Sequence, residues 1–176
     1  MDSMRKLSAL ILTGALVILA AQPARAEGAL ILTDAQIFGI QESCLQSKAA
    51  LERLHTADTL LRVNLGQRYE NISQRLMAPL NSRISLNGLD GIELVQLTVE
   101  YNQAIKQFSS AYSIYDTSVN TASKTDCVKD PVGYYQKIEQ ARANRQKVRS
   151  STDVINKLLE QYQAAFEKFA GGVANE

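Results

Sequence analysis

Apolar side chains recur at intervals of three and four residues along almost the whole chain after residue 33. This spacing places them on one face of an α-helix, as in helices that pack nearly parallel in a coiled-coil-like bundle. No stretch alternates apolar and polar residues with the period of two that a half-buried β-strand requires. The chain has 176 residues, of which 45% are apolar and 21% are charged, which suits a single domain. We therefore expect an all-α fold.

Turn and cap signals divide this pattern into three predicted helices. Thr33 can cap the first helix, and Gln36 stands three residues later, as in a capping box. Asp90 is placed to cap the second helix in the same way. Asp130 caps the third, and Pro131 follows at the first helical position, where proline is favoured. The predicted helices are residues 33–80, 90–124 and 131–170.

The lengths of these helices and of their connections predict the architecture. Three long helices joined by two connections form an elongated antiparallel three-helix bundle with an up-down-up path. We expect residues 27–176 to make up this one domain. The third helix is expected to stop at Gly171 and Gly172.

The first 26 residues have the three parts of a secretory signal peptide. Arg5 and Lys6 give a positive start, residues 7–21 are largely apolar, and residues 24–26 read Ala-Arg-Ala, as a cleavage site does. The apolar run is shorter than the roughly 20 residues that span a bilayer, so we expect cleavage rather than retention as an anchor. The mature protein is then exported to the periplasm or the extracellular side, with no integral membrane segment after cleavage.

The charge balance argues against a general polyanion-binding protein. The leader carries three of the 19 basic residues and one of the 18 acidic residues, so 16 basic and 17 acidic residues remain. Such a near balance disfavours nucleic acid as a partner. We interpret the basic residues of the third helix as a solvated face spread around the helix: Lys137, Arg142, Arg145, Lys147 and Arg149.

Cys44 and Cys127 are the two cysteines of the chain. In an oxidising compartment an even pair predicts a disulfide, and two free thiols are the alternative. A metal site is disfavoured because His55 is the one histidine and neither cysteine lies in a C-x-x-C pair. The up-down-up path would bring the two cysteines to one end of the bundle.

Two charged residues fall on the apolar stripes, where a charge is costly unless it is paired. Asp58 and Arg145 each lie fourteen residues along their helices from the disulfide end, and Tyr112 lies fifteen residues back along the second helix. We predict that these three form a buried polar layer with a structural role, which fixes helix register. The alternative is that Asp58 or Arg145 points outward at the edge of its stripe.

No motif for covalent or metal-assisted chemistry occurs in the mature chain. His55 is expected to be a boundary residue without a partner. We therefore predict no catalytic residue, no metal site and no cofactor, and a protein that is not an enzyme. The second helix carries an aromatic face that is either core or the lining of a ligand slot: Tyr101, Phe108, Tyr112 and Tyr115.

Residues 127–135 read Cys-Val-Lys-Asp-Pro-Val-Gly-Tyr-Tyr. With the early Cys44 and the leader, this segment resembles small exported helical-bundle proteins of bacteria. The resemblance carries no activity, ligand or site residue to this chain.

Two classes of function remain. The first is an exported, non-enzymatic interaction or structural protein of the cell envelope or surface, whose partner is an unknown protein or envelope component. The second is an extracytoplasmic protein that holds a small apolar or aromatic ligand between its helices. Exposed apolar surface along a groove favours the first class, and a closed internal cavity favours the second.

Overall fold

A computed structural model of the chain describes residues 31–173. Over this range the fold is all-helical, as predicted, and contains no strand. The leader predicted at residues 1–26 lies outside the described residues. No helix in the described part of the chain is long and apolar enough to cross a membrane. The helices are α1 (Asp34–Glu42), α2 (Cys44–Ile72), a π-helical turn (Ser73–Met77), α3 (Ala78–Leu86), α4 (Ile92–Lys124) and α5 (Pro131–Val173).

The predicted first helix, 33–80, is wrong in its continuity. It starts as expected, because the Thr33 and Gln36 side chains each accept a hydrogen bond from the other residue's backbone N–H. The α-helix is then interrupted at Ser43, whose φ of −89° and ψ of 9° leave the helical region. Its hydroxyl donates to the carbonyl of Gly39 at 2.7 Å. The result is two helices, α1 and α2, in place of one.

The end of the first predicted helix is also wrong. The predicted end is residue 80, but the chain passes through Pro79 and stays helical to Leu86. A proline ring crowds the carbonyl four residues before it, and the wider π turn of Ser73–Met77 lies at that point. The actual stop is Gly88, whose φ of 67° requires glycine.

Each of the other two predicted helices is correct at one end and wrong at the other. The second, 90–124, begins at Ile92 with Gly91 as its N-cap, and the predicted cap Asp90 lies one residue earlier, where it accepts a hydrogen bond from the Ile92 N–H at 3.3 Å. Gly91 packs so closely on Ile84 that a Cβ would lie 2.5 Å from that side chain. The third, 131–170, runs on to Val173. Gly171 and Gly172 therefore do not stop it, since glycine disfavours a helix by only about 1 kcal/mol.

Helices α4 and α5 form the apolar core of the fold. They run antiparallel, because Glu93 near the start of α4 pairs with Lys168 near the end of α5. Between these points Ile155 packs in the central cluster with Phe108, and Ala141 packs with Val119. The predicted stripe of α4 is largely the buried one: Leu94, Thr98, Tyr101, Ala104, Ile105, Phe108, Tyr112, Tyr115, Val119 and Ala122.

Helix α2 is packed much more loosely. Of its 29 residues, Cys44, Leu51 and Tyr69 are buried, and none between residues 52 and 68 is. Leu54 and Leu61, which lie seven residues apart in the apolar pattern of this region, are 39% and 55% exposed. The apolar face of α2 therefore does not meet a continuous core.

Polar contacts attach this first part of the chain to α4. His55 contacts Asp116, Thr59 contacts Tyr112, Ser73 donates to Asn102 and Asn81 donates to Thr98, at 2.6, 2.9, 2.6 and 2.8 Å. From one contact to the next, the residue number increases in the first part of the chain and decreases in α4. The first part of the chain, including α2, therefore runs antiparallel to α4.

The predicted disulfide between Cys44 and Cys127 is confirmed, with Cα atoms 5.7 Å apart. Cys44 is the first residue of α2, and Cys127 lies in the turn between α4 and α5. Both are buried beside Tyr134 at the start of α5. A disulfide is typical of an oxidising, extracytoplasmic environment.

Replacing both cysteines by serine should lower the free energy of unfolding by about 3 kcal/mol. The loop-closure model gives ~4.5 kcal/mol for cysteines 83 residues apart, and engineered or removed bonds usually yield less than the model. We expect a lower urea midpoint with an unchanged far-UV spectrum. Amide hydrogen exchange should rise in α1 and the start of α2 and stay unchanged in the middle of α4. An unchanged urea midpoint would contradict the prediction.

Candidate functional site

An open groove lies between α2 and α5, with α4 at its floor. Its volume is about 510 Å³. No Cα atom of α2 lies within 8 Å of one in α5, so the two helices border the groove without touching along their backbones. Its lining comprises Asp58, Leu61, Arg62 and Leu65 from α2, Phe108, Tyr112 and Tyr115 from α4, and Arg142, Arg145, Gln146, Val148, Arg149 and Thr152 from α5. We call it the α2–α5 groove.

Helix α2 lies against α4, with Cα atoms of the two helices within 8 Å, but not against α5. At this height polar groups join α2 to α4. Thr59 contacts the hydroxyl of Tyr112, and Asp58 accepts a hydrogen bond from the hydroxyl of Tyr115 at 2.6 Å. Apolar side chains such as Leu61 remain at the groove edge instead of entering a core.

The two charges predicted to share a layer form a bidentate ion pair across the groove. Arg145 donates from Nε to Asp58 Oδ2 at 2.7 Å and from Nη2 to Oδ1 at 2.9 Å. The Asp58 side chain is 12% exposed and that of Arg145 is 50% exposed. The layer is therefore buried on the α2 side and open to solvent on the α5 side.

The predicted tyrosine of this layer is wrong. Tyr115, not Tyr112, completes it, and the Tyr112 hydroxyl lies on Thr59 one turn away. The prediction treated the residues between Cys127 and Tyr112 as one continuous helix. Cys127 lies three residues past the end of α4, in a turn that does not rise along the helix axis as a helix does. The residue at the height of Asp58 is therefore three positions closer to Cys127, which is Tyr115.

Burial by itself would raise the pKa of the Asp58 carboxyl. Hydrogen bonds from Arg145 and Tyr115, with the positive charge of Arg145, outweigh burial and hold this pKa below its ordinary value of 3.8. Burial and the hydrogen bond to Asp58 raise the pKa of Tyr115. The aspartate is thus ionised and the tyrosine protonated over the whole physiological range.

Four arginines and one aspartate line the groove. Arg142 pairs with Glu139 at 2.6 Å, and the Arg62 guanidinium lies 5.4 Å from the centre of the Tyr112 ring. Within residues 31–173, neither Arg62 nor Arg149 forms an ion pair with a carboxylate. The groove therefore carries an excess of positive charge.

This concentration of arginine was missed in the sequence. Of the basic run on the third helix, Arg142, Arg145 and Arg149 line the groove, whereas Lys137 and Lys147 do not. The three arginines are spaced i, i+3 and i+7, which places them on one helix face. That spacing was the available signal, and the intervening lysine obscured it.

His55 was expected to have no partner, and this is wrong. Its Nε2 lies 2.6 Å from Asp116 Oδ1, so the pair joins α2 to α4 beside the groove. The two residues are 61 positions apart, and neither lies in a motif that links them. No group of three or more His, Cys, Asp or Glu side chains that could hold a metal ion occurs among the described residues.

Comparison of the chain with protein-family models, curated proteins and solved structures gives no match.

Replacing Asp58 by Ala should lower the free energy of unfolding by about 2 kcal/mol. The change leaves the buried Tyr115 hydroxyl without its acceptor and Arg145 without its partner. Breaking a fully buried pair costs about 3–5 kcal/mol and an exposed pair about 1 or less, and this half-open pair falls between them. Urea denaturation measures the change. The control is Glu52→Ala on the exposed side of α2, which should change the value by less than about 0.5 kcal/mol. Equal effects of the two substitutions would argue against a structural role for the pair.

The contribution of Asp58 to stability should disappear in acid. A carboxyl whose pKa is lowered by folding stabilises the protein above its unfolded pKa, and this stabilisation is lost as the pH falls through the folded pKa. We expect the difference in unfolding free energy between the natural chain and Asp58→Asn to be constant from pH 7 to pH 5. It should then shrink as the pH drops below the ordinary value of 3.8. A difference that is unchanged or larger at pH 3 would contradict the assignment.

Proposed function

We propose that this is an exported, non-enzymatic protein that binds a component of the cell envelope or cell surface in the α2–α5 groove. The observation that carries the proposal is the groove itself, which is open to solvent, has aromatic rings at its floor and holds two arginines, Arg62 and Arg149, without an ion-pair partner among residues 31–173. The leader at residues 1–26 would direct export, and the disulfide supports an oxidising destination.

The proposed scaffold is an elongated antiparallel three-helix bundle with an up-down-up path. Its arms would be the segments α1 to α3 taken together, α4, and α5. The antiparallel contacts of α4 with both neighbours support this arrangement. In it, α4 and α5 supply the stable core and α2 supplies a wall that is free to contact a partner.

Exposed leucines on α2 support binding as the function. The middle of this helix contains no buried residue, and Leu60 and Leu61 are 63% and 55% exposed. Apolar surface that is gathered beside a groove commonly marks a site of interaction. An occupant of the groove would bury Leu61, which the fold itself leaves uncovered.

The ionisable groups support binding rather than catalysis. The two cysteines are bonded to each other, and His55 is engaged with Asp116. A general acid or base works best when its pKa lies near the operating pH. In the groove, the pKa of Asp58 is lowered and that of Tyr115 is raised, away from neutrality in both cases. These groups can hold an anion but are poorly placed to exchange protons.

The second candidate is a protein that holds a small apolar or aromatic ligand. A volume of about 510 Å³ falls within the range of small-molecule sites, and three aromatic rings lie at the floor. The groove is open rather than closed, so it also admits an occupant that extends beyond it.

A photo-crosslinking amino acid placed in the groove tests the proposal. In the cell that produces the protein, a benzophenone side chain at Leu61 should form adducts with an envelope component. The control position is Val99 on α4, which is 61% exposed against 55% for Leu61 but lies outside the groove. We expect strong, discrete adducts from position 61 and few from position 99. Equal labelling at the two positions, or none at Leu61, would overturn the proposal.

A further inference from the structure

We infer that the α2–α5 groove binds a small anionic amphiphile, with an acidic head between Arg62 and Arg149 and an apolar body on the floor. The head is a carboxylate, phosphate or sulfonate group. This inference rests on the proposed function and names the chemistry of the occupant.

The register of the two walls places these arginines opposite each other. Two contacts join α2 to α5, Ser47 with Tyr134 and Asp58 with Arg145, and each joins residues 87 apart. The same separation relates Gln41 of α1 to Val128 in the turn before α5. A constant separation means that α2 and α5 run parallel in fixed register. The same separation relates Arg62 to Arg149.

One helical turn beyond the ion pair, the groove therefore has a cation on each wall. Four residues at ~1.5 Å each put this level about 6 Å from the Asp58–Arg145 pair. At the level of the pair, each charge has an opposite charge to bind. At the level of Arg62 and Arg149, both walls are positive, and neither residue has an ion-pair partner within the described chain. An anion between them would complete this second layer in the way that Asp58 completes the first.

Arginine suits this role because its planar guanidinium donates two parallel hydrogen bonds to one acidic group. Arg62 is held over the floor of the groove by its position on the Tyr112 ring, 5.4 Å from the ring centre. Asp58 does not compete for these arginines, since both of its carboxylate oxygens are engaged by Arg145. The second layer is therefore positive without a counter-charge from the protein.

The apolar part of the occupant has a surface to lie on. Leu65 and Val148 line the groove beside Phe108 and pack against the central cluster of the core. The lining spans residues 58–65 on α2 and 142–152 on α5, which corresponds to about 10 to 15 Å at 1.5 Å per residue. This length suits a fused aromatic ring system or a medium acyl chain. A stable protein interface, at about 800 Å² per partner, needs a longer surface.

Two probes with the same rings and different charge test the inference. 8-Anilinonaphthalene-1-sulfonate carries a sulfonate, and N-phenyl-1-naphthylamine is the same skeleton without it. Binding to the purified chain from Glu27 onward, with its disulfide intact, is followed by fluorescence. We expect the sulfonate to bind at least tenfold more tightly than the neutral probe. Equal affinities would overturn the anionic head while leaving an apolar groove in place.

The arginines are tested by the double variant Arg62→Gln/Arg149→Gln. It should weaken binding of the sulfonate at least tenfold and change binding of the neutral probe less than twofold. The matched control, Arg53→Gln/Lys157→Gln, removes two positive charges from the same two helices outside the groove and should keep the natural affinity. If both double variants bind the sulfonate equally, the assignment of Arg62 and Arg149 is wrong.

A third variant separates failure of the inference from failure of the proposed function. Thr152→Trp fills the groove from α5 and should abolish binding of both probes, and Leu61→Gln serves if the tryptophan variant is unfolded by circular dichroism. If the folded variant binds both probes as the natural chain does, the groove is not the binding site and the proposed function fails with the inference.

Discussion

The ion pair of Asp58 with Arg145 is the contact on which the middle of the molecule depends. It joins α2 to α5 at a height where no backbone atoms of the two helices are close. Tyr115 binds the same carboxylate from α4, so both walls and the floor of the groove meet at one acidic group. With that group in place, α2 can stand apart from α5 and still be fixed in position. The groove is the space that this arrangement leaves.

The helices are held together by two kinds of packing. Between α4 and α5 the contacts are apolar and continuous, and the residues are buried as in an ordinary core. Between α2 and α4 the buried apolar contacts are fewer, at Leu51 and Tyr69, and hydrogen bonds such as that of Thr59 with Tyr112 join the helices between them. Hydrogen bonds of this type contribute roughly 1 kcal/mol each, less than a buried leucine. The middle of α2 is therefore stabilised by less burial than α5, and its exposed leucines include Leu61, which lines the groove.

Local signals predicted the helical class, the caps at Thr33 and Asp130, and the disulfide, because each depends on a few neighbouring residues or on the compartment. The placement of Asp58 and Arg145 at one height followed from counting along helices, since the helical rise is constant. The same counting failed at Tyr112, because it crossed the turn at Cys127. What could not be predicted is how far α2 stands from α5, since a helical stripe does not specify the distance to its neighbour. The distance between α2 and α5 determines that leucines of α2 are exposed and that arginines line the groove.

Helix α2 is anchored near both of its ends. At one end the disulfide ties Cys44 to the turn before α5, and at the other Tyr69 and the π turn are buried against α4. Between these anchors only side chains cross to the opposite wall. Sliding α2 along its axis would break the disulfide geometry, and moving its middle outward would break the Asp58–Arg145 pair. The groove is thus fixed in length, width and register, so it would select occupants by thickness and hold their charged end at one place.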